Sequence, residues 1–270
     1  SRPSCSNTKG WNVLSETTAP PRREHDATLP IGYVDRDGVA HRKVVLRKMT
    51  GREEAILADR RFQRNGGKLV TELLHSCILR IGEDEQITRA AVSSLYSADR
   101  NYLLLRLRSI TFGPELDATY TCPTCGAVTA VTEDLDSLPV VEADDGAEVR
   151  IELEDGYIDR DGSLHTTMVL RLPTGADEEA VASQMRDNAS TGKNALLARC
   201  VQRLGDLAPH RLDAMGPKIM ADLTMTDRRL IDRALNSEAP GVDLVRHLDC
   251  DACGRAFTAS LDLSNFLSLA

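Results

Sequence analysis

The sequence has no apolar run approaching the roughly 18–20 residues that a membrane span needs, so no transmembrane segment is expected. Nor does a secretory signal pattern open the given residues. Cations are not in excess: 33 Lys and Arg stand against 41 Asp and Glu, a formal net charge of −8. Nucleic-acid surfaces work by displacing counterions with cationic groups, so no nucleic-acid partner is expected. Catalytic signatures are missing too. There is no Gly-x-Ser-x-Gly elbow and no His-Glu-x-x-His pair. The run Asn188-Ala189-Ser190-Thr191-Gly192-Lys193 lacks the first glycine of a phosphate loop, and Asn194 stands where a magnesium-binding hydroxyl belongs. Asn65-Gly66-Gly67-Lys68 fails in the same way. The acidic turns at Asp35 and Asp159 lack the spaced ligands and terminal Glu of a calcium loop. No enzymatic activity is expected. What remains is an ordinary globular composition, 41% hydrophobic and 27% charged, in a chain long enough for one or two domains.

The positive signal is a pair of Cys-x-x-Cys-Gly turns, Cys122-Pro123-Thr124-Cys125-Gly126 and Cys250-Asp251-Ala252-Cys253-Gly254. Each supplies two soft ligands, and structural zinc takes four in a tetrahedron. The two turns are expected to meet and close one zinc site from Cys122, Cys125, Cys250 and Cys253. Two separate redox dithiols or unliganded turns are the alternatives, but a thioredoxin-type pair opens a helix whose N-terminus lowers the thiol pKa. Here each pair runs into Gly and a strand-like segment, Ala127–Val131 or Ala256–Ser260. With four thiolates bound, zinc would keep no open position for a catalytic water. Cys77 and Cys200 sit in apolar helical patterns and are read as buried free thiols, a usage that suits a reducing cytosol.

The spacing between the turns far exceeds the roughly 15–20 residues of a compact zinc ribbon. An internal repeat explains it. Gly32-Tyr33-Val34-Asp35-Arg36-Asp37-Gly38 returns as Gly156-Tyr157-Ile158-Asp159-Arg160-Asp161-Gly162. His41 recurs as His165, Thr50-Gly51 as Thr174-Gly175, and Leu73-Leu74…Cys77 as Leu196-Leu197…Cys200. Asp99-Arg100 and the first cysteine pair match Asp227-Arg228 and the second. The expected fold is α+β, a tandem duplication of a hairpin, helices and zinc-knuckle unit whose halves share the four-cysteine site. The expected boundaries are an N-terminal arm at 1–28, repeat 1 at 29–141 and repeat 2 at 142–270. The arm carries the only Trp, and Trp11, Val13 and Leu14 could dock on a neighbour.

Within each repeat a hairpin turns at Asp35–Gly38 or Asp159–Gly162. Glu53-Glu54 and Asp177-Glu178-Glu179 then suit the positive end of a helix dipole. Leu69, Leu73, Leu74, Cys77, Ile78 and Ile81 have the spacing of one helix face, and the counterpart helix is expected to close on Gly205. Ser97 is a candidate N-cap for the next helix. Asp99-Arg100 and Asp227-Arg228 are read as a cap plus a surface ion pair. His41 and His165 have no acidic or cysteine partner at a ligand spacing, and are read as surface or hydrogen-bonded residues. His247, three residues before Cys250, is the one histidine close enough in sequence to be a spare metal ligand.

Taken in order, Val45–Glu54, the helix ending Leu79-Arg80-Ile81-Gly82, the Asp99–Leu104 helix start and Tyr120–Gly126 resemble the T4-like phage baseplate (hub) protein family, which also occurs in phage-like contractile injection systems. The resemblance covers about 31–138 well and the second copy more loosely. It implies a non-enzymatic piece of the baseplate around the tail tube and spike, partnered by other baseplate, hub, spike and tube proteins. It also implies assembly in the bacterial cytoplasm into a phage-tail-like particle. Two rivals stand beside it. A zinc-ribbon adaptor for nucleic acid or transcription machinery would want cations and aromatics around the knuckles, where Thr121, Thr124, Asp249 and Asp251 stand with Arg255 the lone cation close by. An assembly chaperone that leaves before maturation shares the family.

Overall fold

The computed structural model describes residues 24–62, 64–143, 148–237 and 239–261. Trp11, Val13, Leu14 and Cys5, and the core of the acidic 142–148 segment, lie outside the described residues.

The first half opens with β1 (His25–Val34) and β2 (Ala40–Leu46), paired antiparallel. Strand β1 begins inside the stretch expected to be a leader. The Asp35 carboxylate closes the turn by accepting from the N–H groups of Asp37 and Val39, both at 2.9 Å. Then come α1 (Gly51–Leu57), α2 (Gly66–Cys77), β3 (Ile78–Ile81), α3 (Arg89–Ser94) and α4 (Ser97–Phe112). The half closes with β4 (Glu115–Thr121), β5 (Val128–Asp134), a one-turn helix and β6 (Val140–Val141).

The second half follows the same order: β7 (Glu148–Ile158), β8 (Leu164–Arg171), α5 (Gly175–Asp187), α6 (Ala189–Cys200), β9 (Val201–Leu204), α7 (Pro209–Asp222) and α8 (Met225–Asp232). It ends on β10 (Gly241–Val242), β11 (Val245–Asp249) and β12 (Ala256–Ser260). The three-stranded sheets β1-β2-β3 and β7-β8-β9 share strand order, and each first strand slips register at the matching place, Thr28/Tyr33 and Glu152/Tyr157.

Two expected helices are shorter than their apolar spacing implies. Both end at the buried cysteine, and Ile78–Ile81 and Val201–Leu204 turn back as third strands. Ile81 pairs with Val44 and Leu204 with Met168. Residues 78 and 81 satisfy a helix face, but the open edge of β2 offers unpaired backbone groups, and pairing them buries the same side chains. Gly82 and Gly205 therefore follow strands rather than helices.

The Asp-Arg pairs are not surface ion pairs either. Asp99 and Asp227 are fully buried and accept hydrogen bonds from the slipped strand: Ile31 and Gly32 N–H at 2.9 Å for Asp99, Glu154 and Gly156 N–H at 2.6 and 2.9 Å for Asp227. Each carboxylate takes up the backbone donors that the slip releases. Ser97 caps nothing; it is the first residue of α4 and its buried hydroxyl finds no partner, whereas Thr224 does cap α8 by accepting from Asp227 N–H.

Among the described residues, the buried apolar side chains form two cores. One holds the first sheet, α2 and α4 together with Tyr120, Cys122, Cys250, Phe257 and Leu261. The other is the second sheet with α6, α7 and α8. Both knuckle hairpins therefore sit on the first core, although one of them belongs to the second half of the chain.

Candidate metal centre

Each knuckle grows from a two-stranded ladder. β4 pairs with β5 in full register, ending at Thr121 opposite Val128, and β11 pairs with β12, ending at Asp249 opposite Ala256. The turns are then closed by matching bonds. Cys122 N–H donates to Ala127 O at 2.8 Å and Gly126 N–H to Cys122 O at 2.9 Å; Cys250 N–H donates to Arg255 O at 3.0 Å and Gly254 N–H to Cys250 O at 2.8 Å. Gly126 and Gly254 hold φ of 73° and 67°, a conformation side chains disfavour, which is why the motif ends in glycine.

The first cysteine of each turn is buried against the core and the second is exposed at the rim. All four sulfurs lie within 4.8 Å of one another. Cys122 Sγ is 3.9 Å from Cys253 Sγ, and Cys125 Sγ is 3.6 Å from Cys250 Sγ. A tetrahedron with metal–sulfur bonds of about 2.3 Å has edges of about 3.8 Å, so four thiolates here could hold a zinc ion with little movement. Both distances are far beyond a sulfur–sulfur bond, and the thiols are free.

Backbone donors face the sulfurs. The Cys125 N–H, with help from Thr124, draws the Cys122 thiol down to about 6. At Cys253 the Arg255 N–H lowers the pKa, but desolvation and the thiols of Cys250, Cys125 and Cys122 outweigh it and push the group up to about 12. Four sulfurs this close cannot all ionise without a cation among them. Cys77 and Cys200 are different: burial first, and then the nearby carboxylate of Glu53 or Asp177, pushes each up to about 12, as befits inert core thiols.

His247 is not part of the cluster; its Nδ1 lies 3.5 Å from Thr258 Oγ1 across the second ladder. His41 and His165 do have acidic partners, which spacing rules for metal ligands had no reason to flag. Their Nε2 atoms lie 2.7 and 3.4 Å from Asp35 and Asp159 of the preceding turn. The acidic residues after each second strand do more than meet a dipole. Glu53 and Asp177 are buried, each closes a capping box with Thr50 or Thr174, and each binds the arginine six residues earlier, Arg47 at 2.7 Å and Arg171 at 2.6 Å.

Sequence reasoning missed the second link between the knuckles. Arg246 on β11 reaches Glu133 on β5 at 3.1 Å, and Glu133 also accepts from the Tyr120 hydroxyl at 2.6 Å. Strand β10 pairs with β6, and Asp243 N–H adds a 2.8 Å bond to Pro139 O. Neither Glu133 nor Arg246 has a like residue at the matching place in the other half, so comparing the halves carried no signal for them.

Fold and site together define a mixed α+β protein with a four-cysteine cluster built from two hairpin turns. The chain matches the model of the family described as T4 bacteriophage base plate protein over residues 24–268, nearly its whole length, and belongs to that family. Neither curated proteins nor solved structures give a significant match. Family membership makes the chain a phage baseplate component that associates with other baseplate proteins. Among the described residues no helix is long and apolar enough to cross a membrane.

Proposed function

We propose that this chain is a non-enzymatic structural part of the baseplate of a contractile tail or contractile injection system, where it links hub, spike or tube proteins to wedge parts. One structural zinc ion held by Cys122, Cys125, Cys250 and Cys253 locks it. The observation that carries this reading is the four-sulfur cluster, drawn in equal shares from two turns about half a chain apart. A metal there contributes its binding free energy directly to folding, and a part that transmits force during contraction needs that rigidity. We read the chain as a tandem duplication, with repeat 1 at 29–141, repeat 2 at 142–270, and an arm at 1–28 whose Trp11, Val13 and Leu14 dock on a neighbour. It would be made in the bacterial cytoplasm and built into the particle there.

The test is quantitative mass spectrometry of purified mature particles from cells expressing the natural chain or the Cys122→Ser/Cys125→Ser variant. The structural reading expects the chain in mature particles at fixed stoichiometry to the tube and wedge proteins. It expects the variant to yield few intact particles. A chain needed for assembly yet missing from mature particles contradicts this and identifies an assembly chaperone.

A further inference from the structure

One of the contacts between the halves is made in only one sense. The segment entering α5 lies against the start of α4: Tyr96 bridges Thr174, Ser97 N–H donates to Pro173 O at 2.9 Å, and Gly175 N–H donates to Leu95 O at 3.0 Å. Gly175 is buried directly over the Arg100 guanidinium, where a Cβ would collide. Arg100 is held from below by Thr71 Oγ1 at 2.8 Å and Val92 O at 3.2 Å, and Glu178 approaches its Nε at 3.6 Å.

Each partner in this contact has a counterpart in the other half, and both counterparts are open. On the first half, Thr50, Gly51 and Glu54 correspond to Thr174, Gly175 and Glu178, and all three are exposed. On the second half, Thr224, Met225 and Thr226 correspond to Tyr96, Ser97 and Ala98, and they too are exposed, Met225 at 67%. Their internal chemistry is nevertheless set as in the closed contact. Thr50 and Glu53 form the same capping box as Thr174 and Asp177. Arg228 is held by Asn194 Oδ1 and by Met220 O at 2.7 Å, the counterparts of Thr71 and Val92.

Gly51 itself stands in open space. A Cβ built on it meets nothing within 4 Å, and its φ is not positive. Glycine at the first residue of an exposed helix lowers stability relative to alanine, so nothing among the described residues calls for it. A guanidinium seated on it, as Arg100 sits on Gly175, does.

We propose that a second copy of this chain docks its Thr50–Glu54 turn onto the Leu223–Arg228 face of the first. The docking repeats between chains the contact that Thr174–Glu178 makes on Leu95–Arg100 within one. Glu54 then faces Arg228 as Glu178 faces Arg100. The two surfaces differ, so the contact is head-to-tail: each docked copy still offers one free face, and the arrangement builds a ring or a string rather than a closed pair. Affinity is modest, because Glu179, which hydrogen-bonds Thr71 within the chain, has Ala55 as its counterpart.

Sedimentation equilibrium of the purified full chain, up to roughly millimolar concentration, tests this. The natural chain should gain average mass with concentration. Gly51→Leu and Met225→Asp should each lower the association constant by about tenfold or more, with circular dichroism unchanged and melting temperature not lowered, since both positions are open in the monomer. Mixing the two variants is the sharper arm. Gly51→Leu keeps its acceptor face and Met225→Asp keeps its donor turn, so the mixture should form a 1:1 complex that grows no further. A natural chain that stays monomeric throughout, variants that associate like it, or a mixture that forms no complex overturns the proposal. None of these readouts depends on the metal reading.

Discussion

The two halves of this chain start their first long helix alike and finish it differently. At Thr50 and Thr174 the capping boxes match, and Arg47 or Arg171 holds the buried carboxylate. Helix α1 then stops after 7 residues, whereas α5 runs for 13. The longer helix lies across α2, α3 and α4 of the first half, and Glu179 reaches Asn65 and Thr71 there. The shorter one leaves its opening turn in solvent. Local hydrogen-bond networks are thus repeated with little change while packing around them diverges: capping depends on residues three apart, helix length on what the far end can bury.

The largest expected difference between the halves lies in their buried arginines. Arg100 is 1% exposed, sealed by α5, whereas Arg228 is only partly buried. Arg100→Met strands Gly67 O, Val92 O and the Glu178 carboxylate, and should cost about 3 kcal/mol in chemical denaturation. Arg228→Met should cost about 1 kcal/mol, because solvent can replace its partners. Equal losses would mean that α5 does not seal Arg100.

Next come the paired glycines. Gly175→Ala drives a methyl into the Arg100 guanidinium and should cost about 2 kcal/mol by thermal or denaturant unfolding of the monomer. Gly51→Ala meets empty space and should stabilise by about 0.5 kcal/mol through the lost freedom of the unfolded chain. The two substitutions should thus move stability in opposite directions.

The smallest contrast concerns acid. Burial raises the Glu53 and Asp177 pKa values, but hydrogen bonds, foremost from Arg47 and Arg171, outweigh it and hold both at about 2, from ordinary values of 4.5 and 3.8. A carboxylate with a lowered folded pKa binds fewer protons folded than unfolded, so its stabilisation is full above the ordinary value and drains as pH falls toward 2. Glu53→Gln should flatten the stability–pH curve between about pH 4.5 and 2, and Asp177→Asn between about 3.8 and 2. Asp177 binds a second arginine, Arg199 at 2.9 Å, so its substitution should carry the greater loss at neutral pH. Curves that keep their slope would show that these carboxylates are not the acid-sensitive groups.

Much of this was legible in the residues. The hairpin turns, the helix starts and the cysteine turns are short-range patterns, and each forms where its residues lie. The like order of residues in the two halves also pointed to which turns would meet. Length was not legible: Ile78 and Ile81 suit a helix face as well as a strand, and only the free edge of β2 decides. The role of Asp99 was hidden because it caps a slipped strand some 67 residues away, a partner that no local spacing reveals. Arg246 and Glu133 meet only because both knuckles rest on one core.

On the proposed reading, one metal ion joins the two turns. Elemental analysis of the purified chain, natural and Cys122→Ser/Cys125→Ser, tests it most directly. One zinc per natural chain and none in the variant is expected, with chelation of the natural chain lowering its melting temperature to that of the variant. A natural chain without metal, or a variant that keeps its zinc on Cys250 and Cys253 alone, would contradict it.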